Sequence, residues 1–382
     1  MQTHSDDKAF LATDPLGSLL LRLALPTVAA QLINMLYNIV DRIYIGHIPE
    51  TGALALTGVG VCLPLIMIVS AFAALVGNGG ARRAAIAMGQ GNKEKAEEIL
   101  GNCFALQIVV SVLLTVILFL GDRTFLLAFG ASANTIDYAV AYMDIYAVGT
   151  IFVQITLGMN AFITAQGFAK EGMLSVLIGA VANIILDPVF IFGLNMGVRG
   201  AALATVLSQA LSCAWVLAFL FGKRTFLRLR ASTIRLSPAV LLPCVALGAA
   251  TFIMQASESV ISVAFNSSLL KYGGDMAVGA MTILSSVMQF AMLPLQGLGQ
   301  GAQPIISYNY GAGKRDRVKK AYFLLLRVSV LYSCLLWLLV DCSPRLLPRC
   351  SPAMPRWLRI PATRCASMWR HCSSSASRWP AR

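Results

Sequence analysis

The stretch GNGGARRAAIAMGQGNKEK at residues 77–95 returns, in altered form, as GQGAQPIISYNYGAGKRDR at residues 299–317. The glycines pair at one constant offset, as Gly77 with Gly299, Gly79 with Gly301, Gly89 with Gly311 and Gly91 with Gly313. A recurrence at constant offset predicts a duplicated chain. Duplicated hydrophobic halves are typical of secondary transporters, which bind substrate and coupling ion between the repeats.

The composition indicates that the chain lies in a lipid bilayer. Apolar residues make up 57% of it and charged residues only 12%, with a mean hydropathy of +0.73, which leaves too few polar side chains for a soluble protein. Apolar runs of about 20 residues can span a bilayer. Such runs occur at residues 17–46, 54–77, 97–120, 137–163, 171–193, 198–221, 239–268, 276–298 and 318–340. We therefore expect an all-α membrane protein with a duplicated six-helix-lobe transporter fold, an incomplete second lobe and about nine transmembrane helices.

The distribution of Lys and Arg predicts the orientation, because cytoplasmic loops are enriched in both. Most cations fall in the loops after the second, fourth, sixth and eighth spans, and the alternate loops hold only Arg123, Arg199 and Lys271. We expect a multi-pass protein of a cell membrane, with bacterial inner membrane as the favoured setting, and a cytoplasmic N-terminus. The net charge of +13 then needs no nucleic-acid partner, and the expected partners are the lipid bilayer and small substrates, with no obligate protein partner implied.

These patterns divide the chain into five segments. They are a cytoplasmic N-terminal segment at 1–15, an N-lobe of six helices at 16–222, a basic cytoplasmic linker at 223–238, a partial C-lobe of three helices at 239–340, and an aberrant tail at 341–382. The first segment is acidic and has no small-residue cleavage site, so we do not expect a signal peptide.

The tail from Asp341 is rich in Arg, Ser, Pro and Cys and has no apolar run long enough to span a membrane. The repeat predicts three more helices at this place. We interpret the tail as translation out of frame, which would bury too little apolar surface to become ordered. On this interpretation the chain is a truncated transporter that moves substrate poorly or not at all.

Cysteine spacing gives no sign of a metal site. Cys62, Cys103, Cys213, Cys244 and Cys334 stand singly inside predicted spans, without a C-x-x-C pair. The tail residues Cys365, His371 and Cys372 match no zinc-ligand spacing. We expect no bound metal and no cofactor.

Polar residues inside the spans carry the functional information, because charge near the bilayer centre is costly. In the first span Gln31, Asn34, Asn38 and Asp41 fall on one helical face. In the fifth span, Asn183 and Asp187 lie one turn apart and Pro188 follows, which frees a backbone carbonyl beside the carboxyl group. The bland alternative is that these residues only bond neighbouring helices and that Asp41 pairs with Arg42.

With these motifs in view, the chain resembles the MATE family, the multidrug and toxic compound extrusion transporters. The resemblance runs from about residue 16 to 339 and is carried by Ala24-Leu25-Pro26, Asn38-Ile39-Val40-Asp41, Gly89-Gln90-Gly91, Asn183-Ile184-Ile185-Leu186-Asp187-Pro188 and Gly200-Ala201-Ala202-Leu203-Ala204-Thr205. It implies two six-helix lobes around a central cleft. It also implies exchange of H+ or Na+ for amphipathic, often cationic drugs by alternating access.

The resemblance assigns roles to particular residues. The N-lobe cation or proton site falls on Asp41, Asn183, Asp187 and Thr205, with Asn38 one turn from Asp41. Glu258 is placed like an acidic residue that some members use in the C-lobe. Independently, two carboxyl groups in a low-dielectric cleft repel when both are ionised, so at least one is expected to hold a proton. The candidate substrate cleft comprises Gln31, Asn34, Met35, Tyr37, Met67 and Phe72, for which helix packing alone is the alternative explanation.

Other functions remain open at this point. A lipid or oligosaccharide flippase of the same superfamily would share the repeat, but we would expect more cations inside its cleft than Arg42 and Arg327, which lie near span ends. An inactive truncated transporter is the second alternative. A membrane enzyme is not expected, because the spans carry no paired Asp-rich motif and no Ser/His or Gly-x-Gly-Asp arrangement.

Overall fold

A computed structural model describes residues 9–342, except for the side chains of 9, 262–263, 265–267, 269–287 and 339–342. Within this range the regular elements are helices. They are α1 Ala9–Thr13, α2 Leu16–Gly46, α3 Gly52–Gly89, α4 Lys93–Ala128, α5 Ile136–Ala165, α6 Ala169–Pro188 with a π-helical turn Val189–Gly193, α7 Val198–Phe221, a 3-10 turn Ala231–Thr233, α8 Pro238–Gly311 and α9 Arg315–Cys342. The expected all-α membrane fold is confirmed.

Eight of the described helical stretches are long and apolar enough to cross a membrane. They lie in α2 to α7, in the first part of α8 (Pro238–Ile261) and in α9 (Arg315–Leu338). The predicted span at 276–298 belongs to α8, and its side chains as far as 287 lie outside the description. The tail from 343 to 382 also lies outside the described residues.

The predicted break between the seventh and eighth spans, at 269–275, is not an interruption of the helix. Instead α8 is assigned as one helix of 74 residues, which would extend about 110 Å if it were straight. Yet its beginning packs at Gly79 of α3, against Cys244, and its end packs at Gly89 of α3, against Tyr308. These two glycines are only about 15 Å apart along α3. The chain must therefore reverse direction between Cys244 and Tyr308, giving two antiparallel arms.

The repeated stretch ends one helix and starts the next in both halves. Gly91 and Gly313 have φ angles of 76° and 72°, in the left-handed region that favours glycine. In the first copy, Asn92 then accepts a hydrogen bond from the backbone nitrogen of Lys95 at 3.0 Å and caps α4. The glycine thus turns the chain, and the residue after it begins a helix.

Contacts between the two halves are reciprocal. Gly89 of α3 lies against the backbone of Tyr308 in α8, and Gly311 of α8 lies against the backbone of Ile86 in α3. The repeat matches Gly89 with Gly311 and Ile86 with Tyr308, so each contact is the symmetry mate of the other, as a two-fold relation requires. Both contacts join the last turns of their helices, which therefore end on the same side. A rotation about the membrane normal satisfies this, and an inverted repeat does not.

Small residues and buried amides hold the interior of α2–α7 together. Gly158 of α5 packs against Gly77 of α3, so the helices approach closely, as small residues permit in membranes. Gln107 and Gln154 donate to the carbonyl oxygens of Ala73 and Val69 in α3, at 3.0 and 2.8 Å. Three helices are thus joined by hydrogen bonds across an apolar core.

The segment between α7 and α8 is fixed to the first half rather than hanging free. The side-chain oxygen of Gln166, which is buried at the end of α5, accepts hydrogen bonds from Thr225 Oγ1 and from the backbone nitrogens of Phe226 and Leu227, at 2.9, 2.9 and 2.8 Å. The Leu227 side chain is fully buried. Sequence reasoning interpreted this stretch as a basic linker and did not foresee its anchoring.

Two residues of α4 anchor the rest of this segment. Glu97, only 4% exposed, pairs with Arg230 Nε at 3.3 Å. Asn102 Oδ1 accepts from the backbone nitrogen of Ser237 at 2.7 Å. A buried carboxylate needs a partner to offset its desolvation, and here the partner comes from the connecting segment.

The described chain forms two compact units, the first ending at Leu325 and the second starting at Leu326. Within the second unit, the described residues are the C-terminal part of α9. Their apolar side chains are largely exposed, including Leu331 and Trp337, as expected for a helix surrounded by lipid.

Candidate functional site

The site is built where α6 ends. Pro188 cannot continue the regular hydrogen-bond ladder, and the next five residues, Val189–Gly193, form a π-helical turn. Such turns are frequent at functional sites because they widen the helix locally. The carboxyl group of Asp187 lies directly before this irregularity and is completely buried.

The structure brings together the acids that the sequence predicted as partners. The side chains of Asp41 in α2 and Asp187 in α6 lie within hydrogen-bond reach of each other, and Asn183 Nδ2 donates to Asp187 Oδ1 at 3.2 Å. Two carboxyl groups bond to each other only when one carries a proton, and their like charges favour that state. Such a pair of carboxyl groups can share a proton or bind a cation between its oxygens.

Three oxygens at this place are buried without a hydrogen-bond partner among the described residues. They are Asp41 Oδ1, Asn183 Oδ1 and Asp187 Oδ2. Unsatisfied buried acceptors are rare and costly. Carboxylate and amide oxygens are the donor set that hard cations prefer, so this cluster fits a proton or a small cation.

The ion pairs within 4.0 Å in the described part of the chain do not include Asp41. The bland alternative, in which Asp41 is occupied by Arg42, therefore lacks a close contact. A cluster of three or more His, Cys, Asp or Glu side chains that could hold a metal is absent from the searched residues.

Tyrosines that sequence reasoning missed complete the wall of the site. Tyr142 of α5 is buried, lies within hydrogen-bond reach of the Thr205 hydroxyl and is close enough to Asp41 to feel its charge. Its ring stacks on that of Tyr146 at 6.2 Å. Two tyrosines four residues apart within a predicted span were the available signal, because a buried hydroxyl in a membrane needs a polar partner.

The hydrogen bond that Asn38 makes does not join it to Asp41 or Asp187. Its amide donates to the carbonyl oxygen of Asn34 in its own helix at 2.6 Å. Thr205 lies on α7, near the Tyr142 hydroxyl.

A small cavity adjoins Asn183 inside the first half. Its accessible volume is about 40 Å³, enough for a few water molecules and far below the several hundred Å³ of a drug-sized site. It is lined by Asn34, Tyr37, Thr156, Leu157, Val176, Gly179, Ala180, Asn183, Thr205, Ser208, Gln209 and Ser212. The Ser208 hydroxyl is buried and lacks a partner among the described residues. The lining surface is mostly apolar, with hydroxyl and amide groups set into it, and contains no charged side chain.

Of the predicted cleft residues, only Asn34 and Tyr37 line this cavity. Gln31 instead donates to Gln300 Oε1 at 3.2 Å, and the ring of Phe72 packs on Phe252 at 4.9 Å. Both therefore lie where the two halves meet. Met35 is half-buried and Met67 is exposed.

Glu258 is exposed on the first arm of α8. Its neighbour Ser259 is buried and donates to the carbonyl oxygen of Pro64 in α3 at 3.2 Å. The Ser259 hydroxyl therefore joins α8 to α3, whereas the Glu258 side chain is exposed.

Comparison with known proteins identifies this arrangement. The MatE family profile matches residues 26–189 and 250–351, which include Asp41, Asn183, Asp187 and Glu258. The chain belongs to the MATE family. The resemblance recognised in the sequence is thereby confirmed.

Relatives and solved structures support this placement. The multidrug export protein MepA of Staphylococcus haemolyticus is 25% identical over 314 residues, covering 82% of this chain and 69% of MepA. The FAD transporter of Shewanella oneidensis is 24% identical over 348 residues, covering 87% and 74%. A structure described as the outward-facing conformation of a multidrug resistance MATE transporter of the MOP superfamily superposes with a TM-score of 0.82 at 24% identity, covering 90% of this chain and 75% of the other. The last comparison establishes the fold.

Proposed function

We propose that this MATE protein is a cation-coupled antiporter that exports amphipathic, often cationic drugs across the cell membrane by alternating access. The coupling ion is H+ or Na+, and it exchanges at Asp41 and Asp187. The chain acts as a transporter rather than an enzyme, and no cofactor takes part.

The contact between the two buried carboxyl groups is the observation that carries the proposal. A coupling site must bind its ion reversibly, and here the same oxygens would take either a proton or a cation. Asn183 Oδ1 is buried without a partner among the described residues and would be a third, neutral acceptor. Ion binding then neutralises charge inside the first half, which changes the packing that this half prefers.

The cavity chemistry favours cationic or neutral substrates. Its lining offers hydroxyl and amide groups, aromatic surface at Tyr37 and no cation, and the nearby acids attract positive charge. The cavity must widen to admit a drug, because about 40 Å³ does not hold one. Substrate entry and ion release are thereby linked to one rearrangement.

The proposed orientation places the basic loops in the cytoplasm. We call the side carrying the loops 90–92, 166–168, 222–237 and 312–314 the basic face. Lys and Arg are concentrated in segment 222–237 and at the helix ends beside the other loops, as at Lys93, Lys170 and Arg315. With the positive-inside rule, this distribution supports a cytoplasmic basic face and a cytoplasmic N-terminus. The membrane is then the cell membrane.

Ethidium binding to the purified 382-residue chain in lipid nanodiscs tests the coupling site. Ethidium fluorescence should rise on binding, and binding should weaken as protons or Na+ are added, because ion and drug compete through the acid pair. Asp187→Asn, which has nearly the same volume, should abolish this dependence. The matched control is Asp137→Asn, an exposed acid outside the site, which should leave it unchanged. If ethidium binding to Asp187→Asn still weakened as much when protons or Na+ were added, Asp187 would not be the coupling residue.

Two alternatives have their own outcomes. The Shewanella relative is named a FAD transporter, and preferential binding of an anionic dinucleotide or a lipid pyrophosphate over ethidium would favour such a substrate class. Ion-dependent ethidium binding without efflux in an efflux-deficient host would favour the inactive-transporter alternative. The cavity is lined by no Lys or Arg, so it supports neither anionic substrate class.

A further inference from the structure

We propose that α1, Ala9–Thr13, is a latch that fastens the two halves of the protein together on the basic face. It keeps that face closed, and its contacts with one half must break when the face opens. This inference rests on the alternating-access function proposed above.

Residues of the second half donate hydrogen bonds to the carbonyl oxygens at the end of α1. The last carbonyl groups of a helix have no partner within the helix. Here Leu11 O accepts from Asn309 Nδ2 at 2.9 Å and from Arg317 Nη2 at 3.4 Å, and Ala12 O accepts from Lys314 Nζ at 3.2 Å. Arg317 also donates to Asp14 O. An amide and two cations from α8, the loop after it and α9 thus cap this short helix.

Both halves contact the apolar side of α1. Leu11 is 1% exposed and packs with Leu19 and Leu23 of α2 and Ala169 of α6, in a cluster that also includes residues of α8. Phe10 lies against Gly167, where an added methyl group would come within 2.7 Å of its ring. The guanidinium of Arg22 sits 5.1 Å from the centre of the same ring.

α1 therefore touches both halves at once, and opening of the basic face breaks one set of contacts. α1 packs extensively on α8 of the second half, but only Asp14 and Pro15 connect it to α2, so this short covalent connection keeps it with the first half. The polar contacts with the second half also leave buried groups unsatisfied. Among the described residues, Asn309 Oδ1 and Arg317 Nε are buried without a partner, and exposure to water would satisfy both. We therefore expect the bonds from Asn309, Lys314 and Arg317 to break.

Cys244 provides a native reporter of this opening. It lies near the start of α8, is 1% exposed and packs against Gly79 of α3, at the contact between the halves. Cys62 is an internal reference, because it is fully buried between α3 and α5 within the first half. Its labelling should not respond to separation of the halves.

The experiment follows labelling of the full chain in nanodiscs by a charged, water-soluble maleimide, with the rate at each cysteine read from peptide masses. Arg317→Gln and Leu11→Ala should each accelerate labelling of Cys244 about tenfold, the effect of removing one charged hydrogen bond or one buried side chain from a two-state equilibrium. Lys319→Gln, an exposed cation on the same helix, is the matched control and should leave the rate unchanged.

Lys314→Gln keeps the test decisive if the other variants fold poorly, because the Lys314 side chain is exposed. It should accelerate Cys244 labelling by a smaller factor while Cys62 stays protected. Equal Cys244 rates in wild type and all latch variants would overturn the latch, as would acceleration of Cys62 to the same extent. The assay needs neither drug nor coupling ion. A labelling response without ion-dependent ethidium binding would leave the latch standing and refute the coupling site instead.

Discussion

The glycine contact between α3 and α8 makes the sharpest prediction about stability. A methyl group added at Gly89 would overlap the carbonyl oxygen of Tyr308 and lie 2.9 Å from the nitrogen of Ala312, where ordinary contacts begin at 3.4 Å. Both are backbone atoms, which cannot rotate away. The two helices must separate by at least about one ångström over their last turn, and overpacking of this kind typically costs about 1–3 kcal/mol.

The repeat predicts the same cost at the second copy. A methyl group at Gly311 would overlap the carbonyl oxygen of Ile86 and lie 2.8 Å from its carbonyl carbon. The double variant should cost less than the sum of the single variants, because one separation of the helices relieves both overlaps and neighbouring sites are not additive. Gly89→Ala, Gly311→Ala and the double variant therefore form a complete cycle.

Matched controls are available on the same two helices. Gly60 of α3 and Gly299 of α8 have no heavy atom within 4 Å of an added methyl group. Alanine there should be neutral or stabilising by up to about 1 kcal/mol, because it favours helix over glycine. The measurement is reversible unfolding of the purified chain in mixed micelles, followed by tryptophan fluorescence. Equal free energies of unfolding for Gly89→Ala and Gly60→Ala would refute the close contact.

Three further predictions concern the site and its supports. In a chain extended to the full length of its relatives, Asp187→Asn should abolish cation-driven ethidium efflux with membrane insertion intact, whereas Glu258→Gln should reduce it less, because Glu258 is exposed; the reverse ranking would move the coupling site to the second half. Tyr142→Phe should weaken the ion dependence of ethidium binding without removing it, because it deletes a hydroxyl near Thr205 and Asp41 and leaves both acids in place, and full loss of ion dependence would contradict this. Gln166→Ala should destabilise the chain by about 1–3 kcal/mol for each donor left unsatisfied, read from denaturant unfolding, and an unchanged midpoint would show that water replaces the amide.

The sequence predicted those features of the fold that depend on residues close together in the chain. Apolar runs define spans because a bilayer tolerates only helices with internally satisfied backbone groups. The constant offset between Gly89 and Gly311 similarly indicated duplication, and the structure expresses it as reciprocal contacts. The reversal inside α8 was predicted as a loop, yet the helical assignment continues through it, since turn residues between two helices can keep helical geometry.

The two carboxyl groups of the site could be predicted from the sequence. Asp41 and Asp187 stand out because charge inside a span is rare, and the structure brings them together. Tyr142 did not stand out, since a tyrosine in a span is more often an interface anchor, and only packing of α5 against α2 and α7 gives it a polar partner. The anchoring of α1 and of the segment after α7 depends on contacts between residues far apart in sequence, such as Asn309 with Leu11, and no periodicity encodes those.

The fixation of the segment after α7 has a mechanical consequence. Gln166, Glu97 and Asn102 bind this segment from Thr225 to Ser237. The segment therefore moves as a rigid part of the first half, which we call the strut, and is not a flexible linker. Rotation of one half against the other must then be absorbed where the strut ends, at the junction of Ser237 with Pro238. A single peptide junction allows bending but little translation. The second half should therefore swing about a fixed point beside α4 rather than slide, and the far end of the bundle should travel farther than the end beside the strut.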